Sequence, residues 1–166
     1  MREQLGQIYR DHRRGLFALA LCITGTKSLA EDAVHEAFLR LCRSQRQPSG
    51  SLKHYVFAAV RNAAVDISRQ RGNDPAHSLD FLSALSLEAD SENQPDEQLA
   101  QSEQQEMLRQ AILGLDPASQ EAVTLKIFAG LTFDAIGEIT SERPSTVATR
   151  YRRALQTLEQ RLKGQL

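Results

Sequence analysis

Tryptophan is absent from these 166 residues, and aromatics together make up only 5%. So few large rings fit small helical modules packed with Leu, Ala, Ile and Val better than a β-sandwich. Cysteine occurs twice, at Cys22 and Cys42. Without CxxC spacing the pair excludes a disulfide framework, and two buried apolar thiols are expected. No run approaches the roughly 18 to 20 apolar residues that span a bilayer. The best, Leu16 to Ile23, follows Arg13 and Arg14 as a signal peptide would. It continues a longer amphipathic period, however, and no small-residue cleavage site follows it. No membrane insertion is expected, and the expected location is the cytoplasm. The four histidines, His12, His35, His54 and His77, are scattered, with none at metal-ligand spacing to Cys or carboxylates. Gly-rich phosphate loops and nucleophile motifs are missing as well. No catalytic residue, metal or cofactor is therefore expected. Alternating strand patterns are also missing, which leaves an all-α chain.

One absence is local. Residues 72–103 hold no Lys or Arg and eight Asp or Glu. Residues 1–71 carry 12 basic and 6 acidic side chains, and residues 104–166 carry 8 and 7. A basic module at 1–71, an acidic linker at 72–103 and a near-neutral module at 104–166 are thus expected, summing to the net charge of −1. Such segregation points to a polyanionic partner for the ends. Attraction between basic surfaces and the acidic linker predicts that the two modules pack together.

Helical spacing of apolar residues sets the elements. The first helix is predicted from Arg2 to Thr24, stopped by Gly25. Ser28 and Glu31 read as a capping box for a second helix reaching about Arg43. Pro48, Ser49 and Gly50 break the chain before a third helix from about Leu52 to Arg71, ended by Gly72. In the linker, Phe81, Leu82, Leu85 and Leu87 could dock on a neighbour or form a short helix. Another helix is expected from about Glu97 to Leu115. Asp116 and Pro117 open the next, through Ala129 to Gly130. Thr132 caps a short helix to Ile139, a turn spans Thr140 to Arg143, and Pro144 opens a final helix to about Lys163.

A short helix, a tight turn and a longer helix form a helix-turn-helix candidate, whose second helix enters the DNA major groove. At 100° per residue, Val147, Tyr151, Ala154, Leu155, Leu158 and Leu162 form the core side of that last helix. The other side carries Ser145, Thr149, Arg152, Arg153 and Gln156, with Arg150 on the flank where phosphates would lie. Residues 143–163 hold six basic side chains and one acid, Glu159. Arg can grip guanine edges bidentately, and Ser and Thr can contact phosphate or bases. Charge alone would equally describe a solvated basic face; the punctuation of the turn favours DNA.

The second helix is expected to bury Ala30, Ala33, Val34, Ala37, Phe38 and Leu41. Its other side presents Asp32, His35, Glu36, Leu39 and Arg43. Leu39 in a charged face suggests a partner surface, although single exposed leucines are common. The third helix is expected to bury Val56, Val60, Ala63, Ala64 and Ile67. Its outer face holds Tyr55, Asn62, Asp66 and Arg69, with Lys53 and Arg61 nearby. These could stack on and hydrogen-bond to unpaired bases. They equally describe a polar helix face with one tyrosine.

Three stretches resemble bacterial RNA polymerase sigma factors of the extracytoplasmic-function type. Ala30-Glu-Asp-Ala-Val-His-Glu-Ala-Phe-Leu-Arg-Leu41 is similar to their second helix, and Ala59-Val-Arg-Asn-Ala-Ala-Val-Asp-Ile67 to their third. Leu115-Asp-Pro, Phe128-Ala-Gly-Leu-Thr-Phe-Asp-Ala-Ile136 and Ser145-Thr-Val-Ala-Thr-Arg-Tyr151 resemble their C-terminal helix-turn-helix domain. The resemblance implies two small helical domains, a non-enzymatic role in promoter-specific initiation, and core polymerase as partner through its β′ clamp and β flap. It implies a clamp contact through Asp32, His35, Glu36 and Leu39. It implies capture of the minus-ten element by Lys53, Tyr55, Arg61, Asn62, Asp66 and Arg69. It implies reading of the minus-thirty-five element by Ser145, Thr146, Ala148, Thr149, Arg150, Arg152 and Arg153. It also implies a linker that threads a polymerase channel as a nucleic-acid mimic. Members are commonly held by an anti-sigma protein, though no residue here identifies one.

The sequence departs from the family at His35 (Gln expected), Tyr55 (often Trp), Ser141 (usually Gly), Glu142 (usually apolar) and Ala148 (often basic). A response-regulator-type protein with a similar C-terminal unit is the main alternative. It would need alternating strands and helices in residues 1–71, where none is legible. A helical adaptor that never touches DNA would leave the charge segregation incidental.

Overall fold

The computed structural model describes residues 1–71, 103, 104, 106–108 and 110–164. Among them no strand occurs, as expected for an all-α chain. The expectations placed on Gly72, on Phe81, Leu82, Leu85 and Leu87, and on a helix start near Glu97 lie outside the described residues.

Helix α1 runs Arg2–Thr24 and ends where Gly25 turns left-handed at φ 84°, its N–H donating to Leu21 O at 2.9 Å. Glycine adopts that conformation without a Cβ clash. Helix α2, Lys27–Arg43, is capped by Thr26, whose hydroxyl accepts from Leu29 N–H. That corrects the expected Ser28 and Glu31 box: Thr26 has the extended backbone of an N-cap, and Ser28 already lies in the first turn. Helix α3 covers Leu52–Arg71.

Residues described between 103 and 113 are helical. Helix α4, Pro117–Ile127, starts under Asp116, which accepts from Ser119 N–H at 3.2 Å. It stops two residues before the predicted Ala129. Gly130 at φ 65° lets Leu131 N–H return to Leu125 O. Helix α5 is Phe133–Thr140, capped by Thr132, and α6 is Pro144–Lys163.

The main core fills the space between α1, α2 and α3, with Leu16, Leu19, Leu21, Val56, Phe57 and Val60 fully buried. The same apolar cluster continues through Leu125, Leu131, Ala135, Ile136, Ile139 and Val147 of the C-terminal module. The modules therefore pack together as predicted, through apolar contact; residues 72–102 of the acidic linker, to which the expectation is tied, lie outside the described residues. Apolar surfaces of α1 meet α4, and α3 meets α5. A second cluster joins Ala111, Ile112, Leu115 and Val123 to Ala154 and Leu158 of α6. Arg161 braces it by donating to Ala111 O at 3.0 Å.

Two burial expectations need correction. Cys42 is exposed, whereas Cys22 is buried. Leu155, placed on the core side of α6, is 37% exposed, because Ala154 and Leu158 fill the seam and leave it at the edge.

Candidate nucleic-acid interface

The turn between α5 and α6 sets the angle at which the last helix is presented. Ser141 sits left-handed at φ 58°, ψ 42°, its N–H donating to Gly137 O as the C-cap of α5. Glu142 N–H also donates to Gly137 O, at 2.9 Å. Pro144 then fills the first position of α6, where no intrahelical donor is needed. Gly137 is required by close approach. A Cβ there would lie 2.6 Å from Glu142 O. Sequence reading passed over this glycine, although an isolated Gly inside a short helix signals such an approach.

Ser145, Thr146, Thr149, Arg152 and Arg153 are exposed on α6. Neither Arg152 nor Arg153 is engaged by another described side chain. Two members of the expected set differ. Ala148 is 7% exposed and lies against the core with Val147, because the apolar stripe of this helix is wide enough to include both. Arg150 is half-buried and donates from Nη1 to both carboxylate oxygens of Glu142, each at 2.6 Å. It ties the turn to the helix. Glu142, unusual for being charged, is thus the partner that holds Arg150.

On α3, Asn62, Asp66 and Arg69 are exposed and Tyr55 is 39% exposed. Lys53 is half-buried. Arg61 is half-buried too, and its guanidinium pairs with the Glu121 carboxylate of α4 through Nε to Oε1 and, at 3.4 Å, Nη2 to Oε2. His54, absent from the expected set, meets Glu138 of α5 at 2.8 Å. On α2, Asp32 and His35 are exposed and Glu36 and Leu39 are half-buried. Leu39 belongs to neither apolar cluster and is partly exposed. Arg40 links the α2 and α3 faces, 2.9 Å from Glu36 and 3.7 Å from Asp66.

The arrangement offers two polar helical faces and a helix-turn-helix with a cationic outer side. Its chemistry is binding chemistry: guanidinium, hydroxyl and amide donors over exposed helix surfaces. Among the described residues no cluster of His, Cys, Asp or Glu could hold a metal ion, and no helix is long and apolar enough to cross a membrane.

Comparison with known families decides the lineage. Sigma-70 region 2 matches residues 8–73, and Sigma-70, region 4 matches residues 105–158. The chain belongs to the extracytoplasmic-function sigma factors. It is 28% identical over 155 residues to the ECF RNA polymerase sigma factor SigE of Mycolicibacterium smegmatis, covering 92% of this chain and 59% of that protein. The chain thus spans less than two thirds of the curated relative's length. Among solved structures it matches the sigma factor RpoE of Bartonella quintana, crystallised with the anti-sigma factor NepR. The TM-score is 0.67 at 19% identity, over 98% of this chain and 96% of that one. At that identity the match establishes the shared sigma factor fold.

Proposed function

We propose that this sigma factor binds core RNA polymerase and directs promoter-specific initiation. The observation that carries this reading is the outer face of α6: Ser145, Thr146, Thr149, Arg152 and Arg153 stand exposed on a helix held by a tight helix-turn-helix. In this reading residues 104–166 dock α6 in the major groove of the minus-thirty-five element. Arg152 and Arg153 read base edges, and the hydroxyl groups and N-terminal amides of α6 grip phosphates. Residues 1–71 act on the minus-ten element. Tyr55 stacks on an unpaired base while Asn62, Arg69 and Lys53 contact bases and backbone. The α2 surface of Asp32, His35, Glu36 and Leu39 meets the polymerase clamp, with Leu39 as its apolar anchor. The acidic stretch 72–103 runs through a basic polymerase channel, and the C-terminal module meets the β flap. The protein works in the cytoplasm by binding rather than by catalysis, and an anti-sigma protein is a further partner.

Arg150 and Ala148 have a different role from the other residues of α6. Arg150 is satisfied by Glu142, and Ala148 has turned inward. The reading helix therefore acts through Ser145, Thr146, Thr149, Arg152 and Arg153.

The test is co-purification of the tagged chain with core polymerase, followed by transcription from a promoter library with that complex. Start sites sharing two spaced motifs are expected. Binding to duplex DNA without polymerase association would overturn the reading in favour of an ordinary helix-turn-helix regulator.

A further inference from the structure

Backbone contacts alone fix the bend between α5 and α6. Ser141 is left-handed, Glu142 N–H donates to Gly137 O at 2.9 Å, and Gly137 leaves room for the Glu142 carbonyl. Pro144 then sets the first turn of α6. The Glu142 carboxylate is not needed for any of this. It is nonetheless engaged: Arg150 Nη1 donates to both of its oxygens, each at 2.6 Å. The two side chains are only 26% and 28% exposed.

Arg150 stands in the row that borders the basic face. Thr146, Arg150 and Arg153 follow one another at spacings of four and three residues, which sets them side by side along a helix. Thr146 and Arg153 are exposed, as are Arg143 and Arg152. Among the described residues no acid engages Arg143, Arg152 or Arg153. Arg150 is the exception. Glu142 holds it, and the Asp116 carboxylate at the start of α4 also feels its charge. One guanidinium thus faces two carboxylates, and its positive charge is more than offset.

That offset has a definite consequence on DNA. Each phosphate neutralised by a cation releases counterions and steepens the fall of log K with log salt by about 0.9. A released Arg150, between Thr146 and Arg153, would add one such contact. Held by Glu142, it adds none. Phosphate contacts carry no sequence information. Withholding one weakens the hold on every duplex and leaves the choice of bases to other side chains of α6.

We propose that Glu142 is a brake on upstream DNA affinity: it withholds Arg150 from duplex phosphate and so lowers the strength of α6 binding without changing which bases are read. That role rests on the promoter reading given above. Glu142 acts through Arg150 and is a positioning residue, not a DNA contact. With the brake on, the assembled complex stays where Arg152 and Arg153 find their bases and leaves other duplex readily.

The experiment uses the full chain assembled with core polymerase. One duplex carries both promoter elements, and a second has the upstream element scrambled. In Glu142→Gln and Glu142→Ala, the slope of log K against log salt should steepen by about 0.9 on both duplexes, with binding at low salt tightened roughly three- to tenfold. The ratio of the two affinities should stay within about twofold of the parent's, because a phosphate contact acts on all sequences alike. Adding Arg150→Gln to either variant should return the slope to the parent value, since the released cation is gone. Circular dichroism and thermal unfolding verify that each variant is folded. An unchanged slope in both folded single variants overturns the brake. So does weaker binding at every salt concentration, which would make the pair a structural brace. A slope that stays steep in the double variant overturns the role of Arg150, because Glu142 would then act through its own charge. Tightening confined to the intact upstream element means a base contact and overturns the proposal too. A parent complex with no preference between the duplexes overturns the promoter reading instead, and the slope on the scrambled duplex still reports whether Arg150 is withheld.

Discussion

Gly137→Ala tests whether tertiary contact or local propensity governs the helix-turn-helix. In a helix interior, Ala is favoured over Gly by about 0.5–1 kcal/mol. Judged by α5 alone, the substitution should therefore stabilise. The structure gives the opposite sign. The new Cβ would lie 2.6 Å from Glu142 O, and that oxygen is backbone with no rotamer to move. Forcing such an overlap in packed structure costs about 1–3 kcal/mol. Against the propensity gain, a net loss of about 1–2 kcal/mol remains. At roughly 2–4 °C per kcal/mol for a chain of this size, Tm should fall by about 2–8 °C. The turn would open, tilting α6 and weakening binding to a minus-thirty-five duplex. Ser141→Gly supplies the opposite control, since it removes a side chain from a left-handed residue at φ 58°. It should raise stability by a few tenths of a kcal/mol, the relief of about 1 kcal/mol being partly offset by greater freedom in the unfolded chain. Thermal unfolding followed by circular dichroism decides. A Gly137→Ala protein melting at or above the parent temperature would refute the close-approach reasoning.

Arg152→Ala and Arg153→Ala should each weaken or relax recognition of the upstream element, by about 1–3 kcal/mol where a bidentate base contact is lost. Promoter-library selection that returns the parent motif for both variants would exclude that role for α6. Leu39→Asp should abolish polymerase co-purification while leaving Tm nearly unchanged, because Leu39 joins neither apolar cluster and surface substitutions cost within about 0.5 kcal/mol. A variant that still assembles normally would move the clamp contact elsewhere. Asp116 is held below the usual carboxylate range by hydrogen bonds from Ser119 at the start of α4. Its contribution is present above the unfolded value of about 3.9 and is lost as pH falls through the lower folded value. Asp116→Asn keeps a capping oxygen, so stability near pH 7 should hold while the acid limb below about pH 4 flattens; an unaltered limb in urea titrations would discount the cap.

Much of this molecule is legible in local pattern. The ends of α1 at Gly25, of α4 at Asp116 and of α5 at Thr132 follow from residues that cap or turn the backbone whatever surrounds them. The outer face of α6 follows from the phase of Val147, Tyr151, Ala154 and Leu158. A choice between neighbouring candidates is harder. Thr26 and Ser28 both suit an N-cap, and the backbone angle at Thr26 selects it. Ala148 illustrates another limit: a small side chain at the edge of an apolar stripe turns inward wherever the adjoining helix comes close enough.

The amino-acid order alone thus determined the helices, their polar faces and the charge separation along the chain, because these depend on contacts within about four residues and on counting. Tertiary structure decided which charges are spent internally. Arg61 finds Glu121 sixty positions away, Arg150 turns back to Glu142, and Gly15 admits Ala129. Those partners meet only because apolar surfaces of distant segments exclude water together, and no local pattern records which surfaces will meet.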